Sequence, residues 1–194
     1  MLRTIVCFLS RAHGFDALKA LIHSNDFEVL TVFTHSLNPK SQDPQRNIRS
    51  DYHFYAEICE KNKIPLVSID SKNQKIDLPK CDYIVEISWR YMISEEIVKK
   101  AEKACFGIHR GKIPEYAGAE PIKQALLNNE KEIVLSAHYL ASEIDQGGTI
   151  ERITYPVNYD KEKSLDENIH RLREEITPLF SKLMLKTINK FENM

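Results

Sequence analysis

The feature that most constrains the fold is a series of short apolar runs without polar alternation, separated by segments with helical spacing. Runs of this kind are typical of strands buried on both faces of a parallel sheet. The predicted strands are Thr4–Leu9, Val29–Thr34, Ile64–Ile69, Asp82–Ser88, Cys105–Ile108, Ile133–Leu140 and an edge strand, Thr149–Val157. Strands that alternate with helices predict an α/β fold with a doubly wound, mostly parallel sheet.

The last part of the sequence predicts a long amphipathic helix. Apolar residues recur on one stripe from Leu165 to Phe191, and Pro178 interrupts the pattern. Because proline lacks the backbone N–H, it should kink this helix or divide it in two. The 194 residues fit one domain covering residues 1–194, with no internal repeat.

Charge and cysteine content restrict the partners and the compartment. The chain has 27 Lys and Arg against 28 Asp and Glu, so no overall field favours nucleic acid or an anionic membrane. Its four cysteines form no Cys-x-x-Cys pair, which indicates a reducing compartment. No leader and no apolar stretch of membrane-spanning length is visible, so we expect a cytoplasmic protein without a membrane partner.

The candidate site lies in the stretch from Cys105 to Gly148. His109 comes just past a buried strand, and Asp145 lies on a glycine-bounded turn after the next strand. Two titratable groups that converge beside one cleft suit acid and base catalysis. A metal site built on the histidines is disfavoured because no two of them have close ligand spacing.

These residues resemble the signature of the folate-dependent formyltransferases, which include methionyl-tRNA, glycinamide ribonucleotide and sugar N-formyltransferases. That signature is Asn-x-His, then a Leu-Pro-x-(Tyr/Trp)-x-Gly-Ala-x-Pro loop, then an Ile-Asp-x-Gly turn. The matching residues are His109, Pro114, Tyr116, Gly118, Ala119, Pro121, Ile144, Asp145 and Gly147. Gly107 stands in the place of the asparagine.

The resemblance implies an enzyme with a Rossmann-like fold that transfers a formyl group from 10-formyltetrahydrofolate to an amine. His109 would donate to the oxyanion of the tetrahedral intermediate, and Asp145 would orient the imidazole and assist proton removal. Loss of one oxyanion donor at Gly107 typically costs about 100- to 1000-fold in rate. Three explanations stay open: another donor (Arg110, Lys112, Gln124 or a water), altered chemistry, or binding without turnover.

The resemblance also implies binding residues. The segment after the fourth strand would hold the pterin ring of the folate; the whole predicted cofactor-binding set is Ser88, Trp89, Arg90, Tyr91, Met92, Ile93, His138, Tyr139, Leu140 and Glu143. The predicted substrate-binding residues are Arg11, His13, Arg110, Gly111 and Tyr116. The alternatives are structural: Trp89 and Met92 cover the sheet edge, and the segment around Gly14 is an exposed loop.

For the acceptor, we favour a small-molecule amine. Family members that act on methionyl-tRNA carry a further C-terminal domain, which disfavours nucleic acid as partner here. A nucleotide-linked amino sugar is preferred, and glycinamide ribonucleotide is the second choice; assembly as a homodimer stays open. Two rival functions are a formyltetrahydrofolate hydrolase and a catalytically silent folate- or nucleotide-binding protein.

Overall fold

The computed structural model describes residues 2–140 and 148–193. The chain divides into two compact units, Met1–Cys105 and Phe106–Met194, and each is described by itself. The prediction that residues 1–194 form one domain stays a prediction.

The first unit is a parallel sheet with helices between its strands. Its strands are β1 (Arg3–Leu9), β2 (Phe27–Thr34), β3 (Leu66–Ser68) and β4 (Cys81–Ile87), and its helices are α1 (Arg11–His23), α2 (Tyr52–Lys61) and α3 (Glu95–Val98). They lie in the order β3-β2-β1-β4, and each neighbouring pair is parallel. The carboxyl ends of these strands therefore meet at one edge of the sheet.

The interior of this unit explains the unalternating apolar run of β1. Every residue from Ile5 to Leu9 is fully buried, because both faces of the strand are covered. Phe8 stacks on Phe33 of β2 with ring centroids 4.8 Å apart. The centre of the first unit is therefore a packed apolar core.

All four cysteines are buried and free. Burial raises the pKa of Cys59 and Cys81 to about 11 and that of Cys105 to about 12, and it also raises the pKa of Cys7. A thiol with such a pKa stays protonated at neutral pH and packs as a small apolar side chain.

The second unit contains antiparallel strands, beginning with the part of β5 that follows Cys105. Its elements are β5 (Ala101–His109), α4 (Pro121–Leu127), β6 (Glu132–Tyr139), β7 (Thr149–Pro156), α5 (Leu165–Glu175) and α6 (Thr177–Glu192). The pairs β5-β6 and β6-β7 are antiparallel. On one face of the sheet, Phe106 of β5 contacts Phe191 of α6 with ring centroids 6.1 Å apart.

The predicted division of the last helix is confirmed. Helix α5 ends at Glu175 and α6 starts at Thr177, so Pro178 lies in the first turn of α6, where its missing N–H costs nothing. A capping box between Ser164 and Glu167 opens α5.

The α/β class with a mostly parallel sheet is confirmed: within the two units, three strand pairs are parallel and two are antiparallel. Every strand differs from its predicted range at one end or both. The largest difference is in β5, which begins at Ala101 rather than Cys105; β2 begins at Phe27 rather than Val29, and β3 is confined to Leu66–Ser68. Within residues 2–140 and 148–193, no helix is long and apolar enough to cross a membrane.

Candidate functional site

In the first unit, the end of β1 leads directly into α1. The structure corrects one boundary, since Arg11 and His13 lie in the first turn of α1 rather than in a turn before it. His13 is only 6% exposed, and its Nε2 forms a short hydrogen bond with the hydroxyl of Ser88, just past β4. Arg11 and Ser88 have backbone φ angles of 65° and 59°, a left-handed conformation that ordinary residues rarely adopt. Strain of this kind is often retained at functional positions.

A buried aromatic group surrounds His35 at the end of β2. Its Nδ1–H donates to the carbonyl of Ile69 at 2.5 Å, and its Nε2 accepts from the backbone N–H of Arg90 at 3.2 Å. The ring stacks on Trp89 with centroids 4.1 Å apart. Burial is the main cause that lowers the pKa of His35 to about 4, so this ring is neutral near neutral pH.

Arg49 ties the polar loop 36–50 to the strand ends, and sequence reasoning missed it. Its guanidinium donates to both carboxylate oxygens of Asp51, at 2.9 and 2.5 Å. It also donates to the hydroxyl of Ser10 at 2.5 Å and to the carbonyl of His35 at 2.8 Å. The side chain is 3% exposed. An arginine in a polar loop gives no signal of burial in the sequence.

The segment from Ser88 to Ile93, predicted to hold the pterin ring, presents buried donors. In the part of the first unit that the structure describes, Trp89 Nε1 and Arg90 Nη1 are buried without a hydrogen-bond partner. Arg90 Nη2 donates to the carbonyl of Leu37 at 2.7 Å. Tyr91 packs edge-on against His35, and Met92 is 50% exposed. Buried donors without partners favour a ligand or water that supplies acceptors.

In the second unit, His109 is the last residue of β5 and is half-buried. Its Nε2 lies 2.7 Å from the carbonyl oxygen of Tyr116. Because a carbonyl only accepts, Nε2 carries the hydrogen, and Nδ1 is the atom through which the ring would take up or give a proton.

Gly111 is needed for this arrangement. A Cβ added there would lie 2.6 Å from the Tyr116 carbonyl oxygen, 2.7 Å from Pro121 Cβ and 2.8 Å from His109 Nε2. The loop after His109 therefore folds back against the imidazole only because this residue has no side chain.

A cavity of about 300 Å³ adjoins Gly111 within the second unit. Three of the predicted substrate-binding residues line it: Arg110, Gly111 and Tyr116. Its charged lining consists of the basic residues Arg110, Lys112 and Arg152 and the acidic residues Glu130 and Glu132. Sequence reasoning did not foresee the contribution of Arg152, since it comes from β7, whose alternation indicated only an edge strand.

The predicted residues of β6 lie on different faces. His138 is 2% exposed and pairs directly with Gly107 of β5, and its Nδ1 lies 3.1 Å from the Tyr139 carbonyl oxygen. Tyr139 is 45% exposed and contacts Phe191 of α6 edge-on. Leu140 follows the strand.

Glu143 and Asp145, together with Ile144 and Gly147, lie outside the described residues. The predicted pairing of His109 with Asp145 therefore stays a prediction. Among the described residues, no group of three or more His, Cys, Asp or Glu is placed to hold a metal ion.

Comparison with known proteins gives the first family evidence beyond the motifs. A family model described as "Formyl transferase" matches residues 2–180. The methionyl-tRNA formyltransferase of Ehrlichia chaffeensis is 23% identical over 180 residues, which cover 92% of this chain and 57% of that protein. The chain spans about half the length of such relatives, between 57% and 41% of those compared.

Solved structures share the fold. Phosphoribosylglycinamide formyltransferase from Bacillus halodurans has a TM-score of 0.69 and 19% identity, covering 97% of this chain and 94% of that one. A formyltetrahydrofolate deformylase from Pseudomonas syringae pv. tomato has a TM-score of 0.72 and 17% identity, and the match covers 100% of this chain and 62% of that one. The sugar 3N-formyltransferase WlaRD has a TM-score of 0.60 and 21% identity, and the match covers 98% of this chain and 64% of that one. At these identities the likeness shows the fold alone.

Proposed function

The chain belongs to the formyl transferase family, and on that premise we propose that it transfers a formyl group from 10-formyltetrahydrofolate to the amine of a small molecule. The acceptor we propose is a nucleotide-linked amino sugar. The observation that carries this proposal is the position of His109, whose Nε2 lies against the glycine that borders a ligand-sized cavity.

The imidazole of His109 suits the chemistry of acyl transfer. When an amine attacks the formyl carbon, the carbonyl oxygen becomes an oxyanion and the nitrogen must lose a proton. The Tyr116 carbonyl fixes the ring through Nε2, so Nδ1 is the group that would act. A neutral ring would accept a proton there, and a protonated ring would donate a hydrogen bond to the oxyanion.

Asp145 and the segment from Ser88 to Ile93 have roles that the family resemblance implies. A carboxylate near His109 would stabilise the protonated imidazole. The buried N–H groups of Trp89 and Arg90 would find acceptors on the pterin ring of the folate. Both assignments follow from the family signature and are proposals for this chain.

The cavity beside Gly111 supports a small anionic acceptor. Arg110 and Arg152 line it, and guanidinium groups donate to anions such as a sugar-linked phosphate, although the lining carboxylates Glu130 and Glu132 offset this positive charge. Two basic groups are already positioned: Arg152 donates to the Ile113 carbonyl at 2.6 Å, and Lys112 pairs with Glu115 at 2.9 Å. A volume of about 300 Å³ matches the lower end of small-molecule sites, enough for a sugar and part of its phosphate.

The test is transfer to a panel of amines. The protein is incubated with 10-formyltetrahydrofolate and nucleotide-linked amino sugars or glycinamide ribonucleotide, and mass spectrometry detects the formylated acceptor. In the variant Thr154→Trp, an indole on the exposed edge strand would fill the cavity, so the KM for the acceptor should rise at least tenfold while the KM for the folate changes little. The control Tyr155→Trp changes the next residue, which points to the other face of β7.

An unchanged acceptor KM in Thr154→Trp would remove the cavity from the proposal. Formylated glycinamide ribonucleotide without any formylated sugar would replace the proposed acceptor. Absence of product with every amine would contradict formyl transfer.

Hydrolysis of formyltetrahydrofolate is the second candidate. A deformylase structure covers this whole chain with the highest TM-score among those compared here, 0.72, and Gly107 leaves space where the family signature has a side chain. Water in the place of the amine would release formate. Formate release without an acceptor, at a rate equal to that with one, would favour this candidate over transfer.

A further inference from the structure

We propose that Tyr116 is a positioning residue for His109: hydrogen bonds at the tip of its side chain hold its own main-chain carbonyl against the imidazole. This inference rests on the proposed formyl transfer, in which His109 is the group that acts. It concerns the loop between His109 and Pro121, which lies wholly within the second unit.

The hydroxyl of Tyr116 both donates and accepts a hydrogen bond. Its O–H donates to Oε1 of Glu130 at 2.7 Å, and its oxygen accepts from Nδ2 of Asn128 at 3.3 Å. A hydrogen bond to a carboxylate is about twice as strong as one between neutral groups. The bond to Glu130 raises the pKa of Tyr116, so the proton stays on the phenol and is donated.

The turn that holds this hydroxyl is itself tied to helix α4. The backbone N–H of Asn128 donates to the Gln124 carbonyl at 3.0 Å, and that of Glu130 donates to the Ala125 carbonyl at 3.0 Å. Ala125 is 3% exposed, so the helix is packed against the interior at this point. The side chain of Tyr116 is therefore attached to the end of a packed helix.

The main chain of Tyr116 faces the imidazole. Its carbonyl accepts from Nε2–H of His109 at 2.7 Å, and its N–H donates to the Lys112 carbonyl at 2.7 Å. Because the side chain and the carbonyl carbon are bonded to the same Cα, an anchor at the hydroxyl also limits how far the carbonyl can move. Misplacement of a catalytic group by about 1 Å can cost about 100-fold in rate.

Two further side chains hold the first half of the same loop. Ser136 of β6 donates to the Gly111 carbonyl at 2.8 Å, and Arg152 of β7 donates to the Ile113 carbonyl at 2.6 Å. Tyr116 contacts the imidazole directly and carries its own anchor. Loss of that anchor should therefore act on the imidazole, while the bonds from the two strands keep the loop folded.

The test is the variant Tyr116→Phe, which keeps the ring and removes the hydroxyl. We expect kcat for formyl transfer to fall about tenfold, with less than about a threefold change in the KM for the acceptor, because the imidazole is displaced while the ring stays in the cavity wall. In NMR spectra of the ring nitrogens, the hydrogen on Nε2 of His109 should exchange with water about tenfold faster, because its acceptor moves. That signal is assigned by its loss in His109→Ala. The control Tyr159→Phe removes a hydroxyl from a tyrosine that is 45% exposed and should change neither quantity.

Variants of the anchor test whether the hydrogen bond itself is responsible. Glu130→Ala should lower kcat about as much as Tyr116→Phe, and the double variant should fall no further, since both changes remove the same bond. Glu130→Gln, which keeps an oxygen that can accept from the hydroxyl, should retain more activity than Glu130→Ala. Effects that multiply in the double variant would mean that the two residues act independently, and the positioning role would be wrong.

The exchange measurement needs no substrate, so this inference and the proposed function can fail separately. If the unmodified protein transfers formyl groups and Tyr116→Phe leaves either kcat or the exchange of the imidazole hydrogen unchanged, the positioning role is wrong and the function stands. A raised KM for the acceptor at unchanged kcat would make Tyr116 an acceptor-binding residue instead. If exchange becomes faster but the unmodified protein forms no product with any amine, the positioning role stands and the proposed function fails. Circular dichroism melting shows whether Tyr116→Phe folds, and Glu130→Ala, at an exposed position, decides the matter if it does not.

Discussion

His35 and His109 both stand where a strand ends, and the structure holds them in different ways. His35 is fully buried, both of its ring nitrogens are hydrogen-bonded within the first unit, and it stacks on Trp89. His109 is half-buried and is fixed through Nε2 to the loop that closes on it. Next to that loop lies a cavity, whereas aromatic rings and Arg49 surround His35.

The difference teaches how to distinguish a structural histidine from a reactive one. A ring with two satisfied nitrogens and a pKa lowered to about 4 has its protonation state fixed near neutral pH. A half-buried ring that is hydrogen-bonded to a loop beside a cavity lies where a bound substrate could exchange a proton with it. Solvent exposure and hydrogen-bond partners, rather than residue type, separate the two roles.

The largest effect should come from His109. We expect His109→Ala to lower kcat for formyl transfer by about 1000-fold, because a group that handles a proton or an oxyanion is lost. Melting temperature should change much less than kcat, since the ring is only half-buried. The control is His170→Ala, which removes a histidine that is 74% exposed on α5. Full activity in His109→Ala would mean that the site lies elsewhere.

The second largest effect is on stability and comes from Arg49, which donates to the carbonyl of His35. We expect Arg49→Leu to lower the free energy of unfolding by about 3 kcal/mol, because it leaves buried polar partners unsatisfied. Urea denaturation followed by circular dichroism measures this. Lys19→Leu is the control, since Lys19 pairs with Asp16 on the surface at 3.3 Å and should contribute less than about 1 kcal/mol. Equal losses in the two variants would contradict the buried role of Arg49.

The smallest effect is a dependence of stability on pH. His35 titrates near 6.5 when unfolded and near 4 when folded, so between these values the unfolded chain binds more protons. Its contribution to stability is complete above pH 6.5 and is lost as the pH falls toward 4, by about 1 kcal/mol per pH unit. His35→Asn should show a shallower slope than the unmodified protein in urea titrations between pH 6.5 and 5. Identical slopes would show that burial does not perturb this ring.

Much of the fold was predictable because it depends on local patterns. The run from Thr4 to Leu9 has the composition of a strand covered on both faces, and it is fully buried from Ile5 onward. Pro178 divided the last helix as the chemistry of proline requires. These signals are strong because each depends on a few neighbouring residues.

The site was predictable only where the family signature reaches. His109 and Tyr116 were identified by motif, and the structure brings them together through a carbonyl contact. Arg49 and Arg152 were missed because they reach their positions through tertiary packing across the chain, from a polar loop and from an edge strand. Nothing in the local sequence around His35 indicates that both of its ring nitrogens are hydrogen-bonded.

The positions of the cysteines allow local opening of one unit to be followed through their alkylation. All four cysteines belong to the unit Met1–Cys105, and all four are shielded from solvent in the native state. An alkylating reagent would therefore modify the protein only when that half loosens, and the remaining half would be chemically silent. The number of cysteines alkylated over time would measure the rate of local opening in the unit Met1–Cys105, without any introduced probe.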